Sequence, residues 1–327
     1  MENETLWDLT RTNGGFFSRA DALRCGATDR QLRIALRQSQ VVRLRHGMYA
    51  SAEEVSPLDA NGRHLLLSRA VMACQEGPVA LTGPSAAVLH GFTVYGHDLE
   101  TVHLIRLDRG SGRRQAGVNH HESMTDLSGA IELRHGLATI NAARTVWEMG
   151  RLSDLEGGVC TADSALSMFP ELRGPIEELA ERYHRYPDAN RARLVIRLAD
   201  GRSGSAGESV TRVQFYRYSV PKPDLQVEIR GRDGEFLGFA DWGWDSHRHL
   251  GEFDGKIKYL KYLREGETPS ACVFREKRRE DAMRAEYFGM SRFVWELVMP
   301  RSARRTMERL RYELEQSRRL YVVGRAA

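Results

Sequence analysis

Residues 239–256 of this 327-residue chain decide how we interpret its C-terminal third: Phe-Ala-Asp-Trp-Gly-Trp-Asp-Ser-His-Arg-His-Leu-Gly-Glu-Phe-Asp-Gly-Lys. The stretch combines short apolar runs with several carboxylates and one lysine. Asp241 is predicted to close a strand, and Glu252, Asp254 and Lys256 follow at spacings of two. Residues two apart on an extended chain share a face. We therefore expect two carboxylates to point the same way, beside an ammonium group.

This arrangement predicts a metal site. Carboxylates that share a face repel each other, and a cation between them relieves the repulsion. A small number of hard oxygen ligands suits Mg²⁺, which also bridges phosphate oxygens. We expect Asp241, Glu252 and Asp254 to hold Mg²⁺ or Mn²⁺, which would polarise a phosphodiester and activate a water molecule. Lys256 would orient that water or offset charge that builds up on the phosphate. The alternative is a strand edge with solvated acids and an ion-paired lysine.

The surrounding pattern predicts a helix, three strands, two further helices, a last strand and a last helix. The helices are predicted at Glu208 to Tyr218, Lys256 to Arg264, Arg275 to Phe288 and Ser302 to Arg319. The strands are predicted at Leu225 to Ile229, Phe236 to Trp242, Leu250 to Asp254 and Phe293 to Val298. A turn at 231–234 joins the first two strands. The order is α-β-β-β-α-β with one additional helix.

Five short segments in this region resemble the PD-(D/E)XK nuclease superfamily, and most closely its branch related to very-short-patch-repair endonucleases. They are Gly207-Glu-Ser209, Pro221-Lys-Pro223 with Gln226, Phe239-Ala-Asp-Trp242, Gly251-Glu-Phe-Asp-Gly-Lys256 with Lys258-Tyr259, and Glu276 to Asp281. The resemblance implies a restriction-endonuclease-like αβββαβ domain that cuts DNA with Mg²⁺. The proline that usually precedes the first aspartate is replaced by Ala240.

The resemblance also assigns roles. It implies that Asp241 and the Glu252/Asp254 pair are metal ligands, and that Glu208 is an upstream acid that holds a metal-bound water. Lys256 matches the superfamily lysine if Asp254 takes the acid position. If Glu252 takes it, Asp254 replaces the lysine and Lys256 lies one step beyond. Without the resemblance, Glu208 would favour a helix N-terminus and pair with Arg212.

The N-terminal fifty residues predict two short helices and a hairpin. Ser18 and Thr28 are suited to begin helices, and Gly26 suits the stop between them. Alternation from Val42 to Tyr49 predicts the hairpin. This is the order of a winged helix-turn-helix, and the segment from Arg30 to His46 has five arginines and no acid. We expect the second helix to enter a DNA groove and the hairpin to contact phosphates; contacts with a protein are the alternative. The expected DNA-binding residues are Arg30, Gln31, Arg33, Arg37, Arg43 and Arg45.

These residues resemble the N-terminal domain of AbiEi-type antitoxins, the DNA-binding partners in type IV toxin–antitoxin systems. The matching text is Gly15 to Asp21, Gln31-Leu-Arg33 and Val42 to Tyr49. The resemblance implies a cognate toxin as a possible partner. It also implies a role in phage defence or in a toxin–antitoxin pair.

The composition of the chain and its turn-forming residues predict how the chain is divided into domains. Hydrophobic residues make up 41% and charged residues 28% of the chain, and the net charge is +4. These values are typical of a globular protein and permit DNA as a partner. We predict an α+β multidomain protein: 1–52, a winged helix; 53–200, a mixed α/β middle domain like that of AbiEi proteins; and 201–327, the nuclease-like domain with its C-terminal helix. Residues 51–61 are predicted to be a linker, and residues 108–117 of the middle domain are predicted to be an exposed loop.

The remaining composition points to a location. Four scattered cysteines match neither a disulfide framework nor a zinc site. The uncharged stretch 77–97 carries prolines and glycines, which are unsuited to a membrane-spanning helix. The N-terminus lacks a basic segment followed by an apolar run. We expect a cytoplasmic protein without a membrane partner. It would be either a Mg²⁺-dependent DNA endonuclease or a DNA-binding regulator or antitoxin whose nuclease-like domain is inactive.

Overall fold

A computed structural model describes residues 4–108, 112–115, 117–123, 126–255, 283 and 285–322 of the chain. The predicted helices Lys256 to Arg264 and Arg275 to Phe288 lie largely outside the described residues, as does Lys256 itself. Within the described part, no helix combines the length and the apolar character needed to cross a membrane.

The chain forms two compact units. The first unit consists of Met1–Ser153 with Gly174–Ala192, and the second of Asp154–Arg173 with Arg193–Ala327. The second unit therefore includes residues 154–173 in addition to the predicted nuclease-like domain. These units are defined by their internal contacts and not by function. The division into three functional domains therefore stays a prediction.

The architecture is α+β. The α-helices are α1 Glu4–Thr12, α2 Arg19–Arg24, α3 Asp29–Arg37, α4 Ala52–Val55, α5 Ala60–Met72, α6 Gly83–His90, α7 Ala142–Leu152, α8 Leu155–Met168, α9 Arg173–Arg182, α10 Ala189–Leu198, α11 Ala206–Arg217, α12 Trp295–Val298 and α13 Ala303–Tyr321.

The strands form three sheets. They are β1 Phe17–Ser18, β2 Val41–Arg45, β3 Met48–Ser51, β4 Val79–Leu81, β5 Val102–Arg106, β6 Arg113–Gln115, β7 Val118–His121, β8 Ile131–Arg134, β9 Leu137–Ile140, β10 Asp224–Arg230, β11 Phe236–Trp244, β12 His249–Phe253 and β13 Gly289–Phe293. The sheet orders are β1-β3-β2, β6-β7-β5-β4-β9-β8 and β10-β11-β12-β13.

The predicted N-terminal helices and hairpin are confirmed, and local caps explain them. Ser18 and Thr28 each accept a hydrogen bond from the backbone of the third helical residue, Asp21 or Gln31, whose side chain bonds back to the cap. Such reciprocal caps satisfy backbone groups that a helix end leaves without partners. Gly26 has φ +83°, a left-handed conformation that glycine adopts without steric cost.

The linker predicted at 51–61 is wrong. The segment contains α4 and the beginning of α5, where the Asp59 side chain accepts from the backbone N–H of Gly62 at 2.8 Å. Val55 and Leu58 pack on a buried cluster that includes Met48 and Leu66. Polar and small residues suggested a connection, but these two apolar side chains attach the segment to the fold. The exposed loop predicted at 108–117 is also partly wrong, because β6 pairs with β7 there.

The second unit contains the predicted helix followed by three antiparallel strands. α11 precedes β10, β11 and β12, and β13 then pairs with β12 in parallel. The prediction that Asp241 closes the second strand is wrong, because β11 continues to Trp244. Gly243 and Trp244 pair with Leu250 and His249. The aromatic rings of Trp242 and Trp244 are buried against Phe215 of α11, which extends the strand beyond Asp241.

The last strand was predicted too late in the chain. It runs from Gly289 to Phe293, and residues Trp295–Val298 form the short helix α12 instead. The aromatic and branched residues of this segment favour a strand by propensity, but Trp295 turns onto the ring of Phe253, 5.3 Å away. Gly289 is the first residue of this strand. Glycine is needed there because a β-carbon would overlap the side chain of Ser317 on α13.

The predicted C-terminal helix is confirmed as α13. Met307, Leu310 and Leu314 are buried, at helical spacing, as the sequence predicts. α13 packs on β12 and β13. The sheet therefore has α11 and α13 as its supports, and α11 begins beside the end of β12.

Candidate functional site

The first candidate surface is the outer side of α3. Arg30, Arg33 and Arg37 are exposed there at helical spacing, while Leu32 and Ala35 are buried on the opposite side. Burial of the apolar side fixes which residues face solvent. Guanidinium groups are common donors to phosphates and to base edges.

The other predicted DNA-binding residues differ in their availability. Arg43 is exposed on the hairpin and lies over the ring of Tyr49, 5.9 Å from its centroid. Arg45 is half-buried. The side-chain oxygen of Gln31 accepts hydrogen bonds from the backbone N–H and the hydroxyl of Thr28, at 2.8 and 2.9 Å. Gln31 therefore serves first as a helix cap, and its amide group is left for other contacts.

An ion pair joins the beginnings of α2 and α3. Arg19 donates to both carboxylate oxygens of Asp29, at 2.8 and 2.6 Å. The hydrogen bonds from Arg19 hold the pKa of Asp29 below its usual value. A fork-shaped pair of this kind fixes orientation as well as distance, so it positions α3 relative to α2.

The second candidate surface is a level row across the four-stranded sheet. Gln226 and Asp241 lie opposite each other between the pairs 225↔242 and 227↔240. The pair 242↔251 brings Asp241 level with Glu252, and Glu252 pairs with Arg292 of β13. One amide, two acids and one arginine thus lie side by side on consecutive strands. Together with Glu208 and Asp254, the two acids of this row form the candidate acidic site: Glu208, Asp241, Glu252 and Asp254.

Arg292 contacts both acids at the end of β12. Its guanidinium lies 3.5 Å from the Glu252 carboxylate and 3.9 Å from the Asp254 carboxylate. The prediction that Glu252 and Asp254 share a face is therefore confirmed. The two carboxylate side chains are 12% and 28% exposed. A positive charge between them offsets the repulsion that two neighbouring carboxylates would otherwise suffer.

Asp241 is fixed by the backbone of β12. Its carboxylate accepts a hydrogen bond from the N–H of Phe253 at 2.7 Å. Phe253 lies between Glu252 and Asp254 in the chain, and its buried ring leaves no room for a β-carbon at Gly207 of α11. This single residue therefore connects the three acids of the sheet with the beginning of α11.

Glu208 is buried at the beginning of α11. Its carboxylate accepts from the backbone N–H of Gly204 at 2.8 Å and from the hydroxyl of Ser205 at 2.9 Å, and Gln226 donates to it at 3.3 Å. The expected pair with Arg212 is wrong. Arg212 instead donates to the buried Asp163 at 2.7 Å. Through Gln226, Glu208 is connected to the row of residues on the sheet.

The chemistry of these donors suits Mg²⁺, although the described residues form no metal-binding group of three or more His, Cys, Asp or Glu side chains. A magnesium ion in proteins is commonly held by one or two carboxylates, with water and substrate phosphates as its other ligands. Glu252 and Asp254, half-buried on one face, meet that smaller requirement. Lys256 lies outside the described residues.

Sequence reasoning missed Arg292 and gave Gln226 no role of its own. Arg292 lies about 40 residues after Glu252 in the chain and meets it through the parallel register of β12 and β13. No local pattern encodes that register. Gln226 carries one detectable signal in the structure, a φ of +51° within β10. A non-glycine residue in this region is uncommon and is frequently found at functional sites.

Comparisons with known proteins do not assign an activity. No protein-family model matches the chain. It is similar to two proteins of Mycobacterium tuberculosis, the uncharacterized protein MT2308 of strain CDC 1551 / Oshkosh and the uncharacterized protein Rv2248 of strain H37Rv. Each is 28% identical over 229 residues, which cover 69% of this chain and 78% of the relative.

Proposed function

We propose that the chain is a DNA endonuclease that binds DNA with α3 and the β2–β3 hairpin and hydrolyses phosphodiester bonds at the candidate acidic site with Mg²⁺ or Mn²⁺. The observation that carries this proposal is that Glu252 lies level with Asp241 of the next strand, while Asp254 lies near the same guanidinium as Glu252. The resemblance to PD-(D/E)XK nucleases agrees with that placement. The exposed arginines of α3 support DNA as the substrate.

Each residue of the acidic site has a distinct part in this proposal. Glu252 and Asp254 would hold the metal ion, which when bound polarises the phosphate and makes a water molecule more acidic. Asp241, whose carboxylate accepts from the Phe253 N–H and lies level with Glu252, would be a further ligand of that ion. Glu208, held by Gly204 and Ser205, would accept a hydrogen bond from a metal-bound water molecule. Lys256 is proposed to stabilise charge on the phosphate.

Arg292 has a second role in the same proposal. Before DNA and metal bind, it compensates the charge of Glu252 and Asp254. Its side chain is 38% exposed, so it is accessible to a phosphate group. A guanidinium can donate two parallel hydrogen bonds to a phosphate. When DNA binds, Arg292 would then lose its contact with a carboxylate and contact a phosphate of the substrate instead.

Plasmid cleavage by matched variants tests the catalytic part. Glu252→Gln and Asp254→Asn are compared with wild type and with Glu228→Gln, a change on β10 of the same sheet where the acid pairs with Arg230. With Mg²⁺ or Mn²⁺, we expect the first two variants to lose more than about 100-fold in rate. The control should cut like wild type, and chelation should stop cleavage. Equal cutting by all four proteins, or no cutting by wild type across DNA forms, would contradict the proposal.

Salt-dependent DNA binding tests the recognition part. Removing Arg33 and Arg43 together (Arg33→Ala/Arg43→Ala) should weaken binding and reduce the salt slope of the association constant by about 2, because each phosphate contact contributes roughly one unit. Arg305→Ala, at an exposed position of α13, is the matched control. An unchanged salt slope in the double variant would contradict the proposal that α3 and the hairpin contact DNA phosphates.

The second candidate function is a transcriptional regulator or antitoxin whose nuclease-like region is inactive. The pairing of Arg292 with both Glu252 and Asp254 favours it, because one guanidinium already offsets part of the negative charge of the two acids. A toxin encoded next to this chain is the partner that this candidate implies. It predicts DNA binding that depends on Arg33 and Arg43, with neither Mn²⁺ binding nor cleavage. Binding of Mn²⁺ that Asp254→Asn abolishes would instead favour the enzyme.

A further inference from the structure

A cavity in the second unit lies apart from the residues of the candidate acidic site. It has a volume of about 500 Å³ and is bounded by the end of α10, the second half of α11, the turn that follows α11 and the beginning of β10. Sites for small organic molecules commonly have volumes of roughly 300–1,000 Å³. The cavity is therefore large enough for a ligand of one or two rings.

Most of the wall is apolar. Val159, Leu198, Val213, Phe215 and Leu225 contribute to it. Phe215 and Val213 are almost fully buried, and they are held by the packing of α11 rather than by the cavity. They therefore form a rigid floor beneath the cavity, whereas the half-buried Leu198 and the exposed Tyr216 offer apolar surface to a ligand. A wall of this kind favours a planar or branched apolar body.

Two cationic side chains on the wall lack an acidic partner among the described residues. Neither Arg197 nor Lys222 takes part in an ion pair in that part of the chain. Arg197 donates to the hydroxyl of Tyr216 at 3.1 Å and lies 5.8 Å from the centre of its ring. These contacts orient the guanidinium without neutralising it.

The other charged groups on the wall are already balanced. Arg212 is paired with the buried Asp163 at 2.7 Å. Asp200 accepts two hydrogen bonds from the guanidinium of Arg202, at 3.0 and 2.8 Å. Because Arg212 and Asp200 are paired in this way, Arg197 and Lys222 give the wall of the cavity a net positive charge. The Nε–H of Arg212 is also buried and has no acceptor within the described residues.

We propose that this cavity binds a small organic anion that combines an apolar, ring-sized body with a carboxylate, sulfonate or phosphate group. The body lies against Leu198 and the exposed ring of Tyr216, above the floor formed by Val213 and Phe215. The anionic group lies against Arg197 and Lys222. This inference does not depend on the proposed nuclease function, because none of these residues belongs to the acidic site.

Two fluorescent probes that differ in charge test the proposal on the full chain. 8-Anilinonaphthalene-1-sulfonate combines an apolar body with an anion, and N-phenyl-1-naphthylamine has a closely similar body without the charge. We expect saturable binding of the sulfonate. The double variant Arg197→Gln/Lys222→Gln should bind the sulfonate at least about tenfold more weakly, because two charge-assisted contacts are lost. The neutral probe should bind both proteins alike.

Matched variants separate the cavity from general surface binding. Lys222→Arg keeps the charge and should retain sulfonate binding, and Arg305→Gln on α13 should behave like wild type. Circular dichroism and neutral-probe binding show whether the double variant is folded; if it is not, the single change Lys222→Gln takes its place. Equal sulfonate affinity in wild type and the charge-removing variant would overturn the proposal, as would the absence of saturable binding. Displacement of the sulfonate by a short DNA duplex in preference to mononucleotides would overturn it too, because the cavity would then belong to a DNA-contact surface.

Discussion

The two candidate sites differ in how the chain brings charged groups together. On α3, the arginines stand three or four residues apart, and a local cap and two buried residues suffice to display them. At the acidic site, the groups come from α11, β11 and β12, with Arg292 from β13. The first surface depends on local structure and the second on register. Mutations should therefore affect the second site more strongly through the fold.

The largest expected effect is at the contact between α11 and β12. In Gly207→Ala, the new β-carbon would overlap the ring of Phe253. We expect the free energy of unfolding to fall by about 3 kcal/mol, because a packed core accommodates added volume poorly. Urea unfolding followed by circular dichroism and tryptophan fluorescence measures the loss.

Gly174→Ala is the control for that experiment. Gly174 lies in α9, and a β-carbon there would have no atom within 4 Å. Alanine in a helix is favoured over glycine by roughly 0.5–1 kcal/mol, so this change should leave stability equal or higher. Similar losses in both variants would show that the acidic site does not depend on the close approach of Phe253.

Two substitutions of Asp241 distinguish the effect of its charge from the effect of its hydrogen bond. Asp241→Ala leaves the buried N–H of Phe253 without its acceptor, and we expect a loss of about 2 kcal/mol in unfolding free energy. Asp241→Asn offers an amide oxygen as acceptor and should retain most of that stability. On the proposed function, both variants lose cleavage. Cleavage retained by Asp241→Asn would limit Asp241 to a structural role.

A smaller effect is expected at the cap of α3. Thr28→Ala removes the hydroxyl that accepts from the N–H of Gln31, and caps of this kind contribute about 1 kcal/mol. Thr28→Ser keeps the hydroxyl and serves as the control. We expect the alanine variant to bind DNA more weakly at unchanged salt slope, measured by fluorescence anisotropy. A changed slope would mean that Thr28 affects the phosphate contacts themselves.

Two buried histidines, His64 and His90, should make the stability of the first unit fall below neutral pH. Burial lowers the pKa values of His64 and His90 from their ordinary value of 6.5, although hydrogen bonds to the carbonyls of Leu99 and Ile140 oppose the shift. The unfolded chain then binds more protons than the folded chain. The stability that these neutral rings contribute is complete above about pH 6.5 and is lost as the pH falls towards their folded-state pKa values.

Urea midpoints at pH 7 and pH 5 measure that dependence. His64→Gln should flatten the change between the two pH values, since glutamine does not titrate. His184→Gln, at an exposed position of the same unit, should leave the change as in wild type. An identical pH response in all three proteins would show that His64 is not one of the groups responsible.

Particular elements show where sequence reasoning succeeded. The helix starts at Ser18 and Thr28, the hairpin around Gly47 and the buried side of α13 were predicted because each is encoded within a few residues. The shared face of Glu252 and Asp254 follows from strand geometry in the same way. Asp241 and α12 were assigned wrongly because packing of Trp242, Trp244 and Trp295 set the ends of those elements.

The cap residues, the period of each helix and strand and the row of arginines on α3 can be read from short segments of the chain, because they depend on interactions between near neighbours. Tertiary packing is needed to bring Arg292 to Glu252 and Asp254, to close Phe253 against Gly207, and to pair Glu208 with Gln226 rather than with Arg212. These contacts join distant parts of the chain. They depend on strand register and on the volume left between packed elements, which no short segment specifies.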